Sequence, residues 1–143
     1  MALHSFILHA KWPGGRNSVG SIEAEKLKTS ISIPAEMDGP GVGTNPDEML
    51  LGAASTCYII TLAAMLERAN IEVAELSLES EGRVEVNSGV FTYKEIIHRP
   101  YVRVKNQNDF KKTERLVFKA DESCMISRAV KGNVSIEVHP VIR

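Results

Sequence analysis

Cys57 and Cys124, the two cysteines in this chain of 143 residues, are the side chains best suited to chemistry. A cysteine acts as a nucleophile or metal ligand only as its thiolate. At an ordinary pKa of about 8.5, only ~3% is ionised at pH 7, so a working cysteine needs positive charge or hydrogen-bond donors at its sulfur. Arg16, directly after the Pro13-Gly14-Gly15 turn, is a candidate source of that charge. Full ionisation gains only about thirtyfold in reactive form, or ~2 kcal/mol. Further rate enhancement must come from aligning a substrate and stabilising its leaving oxygen, and a guanidinium fork steadied by a carboxylate does both. From spacing alone the plainer reading prevails. Free cysteines are among the most buried residue types, no C-x-x-C pair is present, and Arg16 by itself is a solvated hairpin residue. Zinc is a weaker alternative, because His4, His9, His98 and His139 are not paired at a metal-ligand spacing.

Cys57 lies in the stretch that must organise the fold, residues 44–70. Asn45 is suited to be a helix N-cap, Pro46 to the first helical position, and Glu48 to completing a capping box. From Met49 to Leu66 no residue is charged. A helix that is apolar all round is normally buried all round, and a chain of this size has little left to cover both sides. A second copy of the protein is therefore the expected cover for one side. The run meets the lower length limit for a membrane span, but Gly52, Ser55, Thr56, Tyr58 and Thr61 dilute it and Asp47, Glu48, Glu67 and Arg68 flank it. It reads as a buried helix.

The rest of the chain supplies the sheets. Residues 3–12 alternate, with Phe6, Leu8, Ala10 and Trp12 expected on a buried face. Further strands are expected over 16–25 and 27–33, followed by a glycine-rich loop, 38–43, that lacks both the P-loop and the dinucleotide-binding spacing. After the helix, 72–86 reads as a strand with Leu76, Leu78, Val84 and Val86 inward, and Asn87-Ser88-Gly89 turns it into a second strand over 90–105. Pro100 predicts a bulge or an edge position there. A helix follows from an Asn108 cap, then a short helical piece ending at Lys131-Gly132, then a strand through Val134, Ile136 and Val138. The order predicts one α+β domain over 1–143, with mainly antiparallel sheets wrapped around the central helix.

Hydrophobic content of 43%, charged content of 24% and a net charge of −1 fit an ordinary globular protein and leave no basic footprint for nucleic acid or anionic membrane. The alternating N-terminus does not read as a signal peptide, so a cytoplasmic location is expected. Two cysteines there are not expected to form a permanent structural disulfide.

The stretch G-T-N-P-D-E-M-L-L-G-A-A-S-T-C, residues 43–57, closely resembles the signature around the peroxidatic cysteine of the OsmC/Ohr family, osmotically inducible protein C and organic hydroperoxide resistance protein. The turn P-G-G-R puts Arg16 where the Ohr branch carries its active-site arginine. The segment A-D-E-S-C-M-I-S-R-A-V-K-G-N-V-S-I-E-V resembles the region of the second cysteine and last strand. The family's glutamate after Asn-Pro is Asp47 here, with Glu48 next, and its proline after the second cysteine is Met125. The resemblance implies an intertwined homodimer of α+β subunits and a thiol peroxidase that reduces organic hydroperoxides. Cys57 would be its nucleophile, Arg16 its activator supported by Asp47 or Glu48, and Cys124 the thiol that closes a disulfide with Cys57. It further implies a dithiol reductant such as a lipoylated protein, and no metal or bound organic cofactor. Met37, Met49, Tyr58, Tyr93 and Met125 are candidates to line an apolar entrance. The competing reading is a non-catalytic dimer of the same fold that holds a small apolar ligand.

Overall fold

The computed structural model describes all residues, Met1–Arg143, in two compact units, Met1–Met49 and Leu50–Arg143. The first holds a three-stranded antiparallel sheet in the order β1 (His9–Lys11), β2 (Gly20–Glu23), β3 (Lys28–Ile31). The Trp12 indole N–H donates to the Gly15 carbonyl at 3.0 Å and folds the Pro-Gly-Gly turn back on its strand. Gly20 is required where it is, since a Cβ there would collide with the Lys11 carbonyl oxygen. The expected strand over 3–12 is reduced to β1, whose three residues are exposed. Its anticipated buried face is exposed too, with Phe6 at 96% and Trp12 at 43%. Alternation announces a strand that has something to cover it, and this single chain does not cover this one.

After β3 the loop is closed by the Ser32 hydroxyl, which bonds both the N–H and the carbonyl of Val42 at 2.8 Å. A short 3₁₀ turn, Ala35–Met37, leads to Asp38 in the left-handed region. The helix α1 (Pro46–Arg68) then starts as its sequence demands, with Asn45 Oδ1 accepting from the Glu48 N–H at 2.9 Å. The Glu48 carboxylate accepts from the Thr44 hydroxyl at 2.9 Å.

The second unit is built on a long hairpin of β4 (Val73–Asn87) and β5 (Val90–Val104). Ser88 and Gly89 both have positive φ, which matches the right-handed twist of the strands they join. β6 (Ser135–Val138) and β7 (Val141–Ile142) run parallel to β5 on its other side, so the sheet is mixed and β5 is internal. Pro100 therefore sits in a central strand, paired with Leu78, and not at the bulge or edge expected of it. It is tolerated because the parallel partner is interrupted there. Pairing to β6 stops at His98, pairing to β7 begins at Tyr101, and no donor is needed from residue 100. The bulges lie at Val73/Glu75 and Arg83/Val84. Leu76, Leu78 and Val84 are half-buried as expected, whereas Val86, near the hairpin tip, is 58% exposed.

Against this sheet α1 buries one row, Ala54, Tyr58, Leu62 and Leu66, at four-residue spacing. Tyr58, Leu62 and Leu66 pack with Ile71, Val102 and Val104 and with Val117 and Ala120 of α2 (Phe110–Ser123). Each such fully buried aliphatic side chain contributes about 1.5–3 kcal/mol. The other side of α1, including Gly52, Ala53, Thr56, Ile60 and Ala63, is exposed. The helix is long and apolar enough to cross a membrane, and only 22% of its most apolar window is buried by this chain. A short helix, α3 (Met125–Val130), follows Cys124 directly.

Candidate active site at Cys57 and Cys124

Cys57 lies on α1 one residue before the buried Tyr58 and is itself half-buried. Cys124 lies at the break between α2 and α3 and is fully buried. The fold of the second unit brings the two thiols into hydrogen-bonding contact, and both are free. Burial pushes the Cys57 thiol up. Against it act the Cys124 S–H, the backbone N–H groups of Ile126 and Met125 and the Thr61 side chain, and together they hold Cys57 below its ordinary value. Cys124 goes the other way, pushed up first by burial and then by the hydrogen bond it gives to Cys57. The site thus sets a thiol whose ionisation is favoured beside one whose ionisation is disfavoured.

The donors at Cys57 follow from local structure. Thr61 is one helical turn beyond it on the same face of α1. Met125 and Ile126 open α3, where the first N–H groups of a helix have no partner within it. Behind the thiols, Tyr58 donates its hydroxyl to the Val117 carbonyl at 2.7 Å and stacks on His98, with ring centroids 4.7 Å apart. His98 is fully buried and pushed down by that burial, with the Asp121 charge opposing. Its Nδ1 bonds the Ser80 hydroxyl at 2.7 Å. Tyr58 is therefore a core residue and not part of an entrance, while Met125 is 63% exposed beside the site.

Of the other residues singled out from sequence, Arg16, Met37, Asp47, Glu48 and Met49 lie in the first unit, whereas Tyr93 lies on β5 in the second. The Arg16 guanidinium donates to the carbonyls of Met37 at 2.8 Å and Asp38 at 3.0 Å, and to Asn17 Oδ1 at 2.7 Å. Those bonds tie the turn after β1 to the loop after β3. Asp47 and Glu48 occupy the first turn of α1. Thr61, Asp121 and Ser127 escaped the sequence reading, although Thr61 stands four residues from Cys57 and the others flank Cys124 in the D-E-S-C-M-I-S segment.

Comparison with known proteins bears on the family and the fold. The model of the OsmC-like protein family matches residues 39–139, which include both cysteines. The uncharacterized protein YmaD of Bacillus subtilis is 60% identical, with 100% of this chain and 97% of that protein aligned. An organic hydroperoxide resistance protein of Xanthomonas axonopodis pv. citri is 26% identical over 92% of this chain and 91% of its own. Among solved structures, the organic hydroperoxide resistance protein OsmC of Legionella pneumophila superposes with a TM-score of 0.75 at 27% identity, covering 98% of both chains. With the family model spanning more than two thirds of its length, this chain belongs to the OsmC-like protein family.

Proposed function

We propose that this protein is a cysteine-based thiol peroxidase that reduces organic hydroperoxides to alcohols. The observation that carries the reading is the contact between Cys57 and Cys124, far apart in sequence, in a setting that lowers one thiol and raises the other. In the reaction, the Cys57 thiolate attacks the terminal oxygen of the hydroperoxide. The O–O bond breaks, the alkoxide takes a proton and leaves as alcohol, and Cys57 becomes a sulfenic acid. Cys124 then displaces the hydroxyl to form the Cys57–Cys124 disulfide and release water. An external dithiol, such as a lipoylated protein, restores both thiols by exchange.

By family resemblance Arg16, supported by Asp47 or Glu48, orients the peroxide and favours the thiolate. The whole chain, 1–143, acts as one domain in the cytoplasm, as a homodimer. The dimer is supported by the bare apolar side of α1 and by the exposed Phe6, Ile7 and Leu8 of the N-terminal segment, more than lone surface residues explain.

The experiment is peroxide turnover with cumene hydroperoxide and a dithiol. Cys57→Ser should lose all turnover while keeping its fold. Cys124→Ser should consume about one equivalent and then stop at sulfenic or over-oxidised Cys57. Multiple turnover by Cys57→Ser would end the peroxidase reading.

A further inference from the structure

The net charge of −1 hides an uneven distribution. Between Phe110 and Lys131 the chain carries six cations, Lys111, Lys112, Arg115, Lys119, Arg128 and Lys131, against Glu114, Asp121 and Glu122. That is a net charge of +3, which leaves −4 for the rest. All six cations are exposed, and none makes an ion pair within the chain. The hairpin is the contrast. Arg83, Lys94, Arg99 and Arg103 on β4 and β5, and Lys105 just after, are each paired with a glutamate. Paired charges largely cancel each other's field, whereas the cations of α2 and α3 project theirs into solvent.

Four of the six share one face of α2. At about 100° per residue, Lys111, Arg115, Phe118 and Glu122 fall in one row and Lys112 and Lys119 in the next, opposite the buried Thr113, Val117 and Ala120. Lys111 and Lys119 stand about 12 Å apart along the axis. Phe118 is 47% exposed among them. An aromatic side chain left in water inside a rim of cations has the anatomy of a docking surface, an apolar anchor ringed by polar groups. The face also ends at the site. Phe118 is six residues before Cys124, about 9 Å along the helix. Arg128 and Lys131 continue the positive charge over α3, which follows Cys124 directly.

The pattern of charge selects the kind of partner. Glu114 and Glu122 lie one helical turn to either side of Phe118. Nucleic acid or an anionic membrane presents unbroken negative charge, which both glutamates oppose. A folded protein with an acidic patch meets the cations and leaves the two glutamates to water or to cations of its own.

We infer that the exposed face of α2 docks the reductant, a protein whose dithiol sits within an acidic surface, an inference that rests on the peroxidase reading above. The step is thiol–disulfide exchange. One thiolate of the docked partner attacks the Cys57–Cys124 disulfide and forms a mixed disulfide with one cysteine, while the other cysteine leaves as thiolate and takes up a proton. The partner's second thiol gives up its proton and attacks the mixed disulfide, releasing the remaining cysteine. This protein thereby gains two electrons and two protons, and the partner ends as a disulfide. No residue of α2 takes part in the exchange. Its face speeds the encounter and holds an acidic partner beside the site.

The test is the rate at which the full-length protein, its disulfide formed beforehand with diamide, is reduced by synthetic dithiol peptides. Three peptides share a Cys-Gly-Pro-Cys core flanked by glutamates, by glutamines or by lysines, and dithiothreitol is the uncharged reference. Each peptide's rate is divided by its rate with 2-hydroxyethyl disulfide, which removes differences in intrinsic reactivity. At about 20 mM salt the glutamate peptide should react about tenfold faster than the glutamine peptide, and the lysine peptide slowest. At about 0.5 M salt the advantage should fall below about twofold. Lys111→Glu combined with Arg115→Glu should reverse the order of the glutamate and lysine peptides, while dithiothreitol reduces variant and wild type at rates within about twofold. If that pair lacks a native circular dichroism spectrum, Lys112→Glu with Lys119→Glu replaces it, and the salt comparison on the wild type decides if neither folds. Equal normalised rates for the glutamate and glutamine peptides, or an order that charge reversal leaves unchanged, would overturn the docking face. A changed sedimentation of the charge-reversed protein would assign the face to a second copy, and binding of the wild type to phosphatidylserine vesicles would assign it to a membrane; either result overturns the inference. Diamide makes the disulfide without peroxide, so the two readings fail separately. A wild type that does not turn over cumene hydroperoxide with dithiothreitol would remove the peroxidase reading, and the role given to the docked partner with it.

Discussion

Thr61→Val tests whether the thiolate of Cys57 is set by its hydrogen-bond donors. Valine has nearly the shape of threonine, and residue 61 is only half-buried, so packing on α1 should be preserved. The change removes one of four groups that lower the Cys57 pKa, and the smallest of them. A hydrogen bond to a charged acceptor is worth about 1.5 kcal/mol, and about 1.4 kcal/mol corresponds to one pH unit. As the smallest contributor to a sulfur that is partly exposed, Thr61 should be worth about half a pH unit. The sign follows directly. Loss of a donor to the thiolate raises the pKa, and below both midpoints the ionised fraction falls about threefold. The assay is the pH dependence of iodoacetamide labelling, read at Cys57 by mass spectrometry, since the buried Cys124 should not label in the native state. Reaction with cumene hydroperoxide at a fixed pH below the midpoint should slow by a similar factor, and Thr61→Ser should restore both. A midpoint that moves by less than about a tenth of a pH unit would refute the assignment of donors.

Other consequences are as direct. Tyr58→Phe removes the buried bond to the Val117 carbonyl, which keeps its own partner within α2, so the loss should be about 1 kcal/mol, or about 3 °C in melting temperature. His98 is pushed down by burial, so its folded pKa lies below the unfolded value of about 6.5. Its contribution is therefore complete above that value and lost as pH falls through the lower folded one, and His98→Phe should flatten this acid slope in thermal melts. Sedimentation at micromolar protein should show a dimer, and a compact monomer would count against a second copy covering α1. Mixing Cys57→Ser with Arg16→Ala under subunit exchange should recover up to about half of a normal dimer's activity if sites are shared. Asp47 and Cys57 are ten residues apart in sequence, about 15 Å along one helix, so a partner chain is one way for the carboxylate to reach the thiol's neighbourhood.

What the sequence determined by itself was the local part of the structure. The helix start at Asn45-Pro46, the uncharged run behind it and the Asn-Ser-Gly turn each carry their conformation within a few residues. The element order could therefore be read without any contact being known. Pairing partners were not legible in the same way. Pro100 read as an edge because a missing donor is a local fact, whereas the break between β6 and β7 that excuses it belongs to residues near 140. The alternation in residues 3–12 announced a buried face, but whether anything covers that face is decided by neighbours that this chain does not supply.

The site divides along the same line. Cys57 and Cys124 were nameable from residue type, and their pairing only through resemblance, because no spacing rule links positions on two separate helices. Tertiary structure alone put the S–H of Cys124 and the first N–H groups of α3 at the Cys57 sulfur. It also laid Tyr58 on His98 and joined its hydroxyl to a carbonyl 59 residues away. A thiol's ionisation depends on the few donors that touch it, and those donors are chosen by how α1, α2 and α3 pack, not by what precedes or follows each cysteine in the chain.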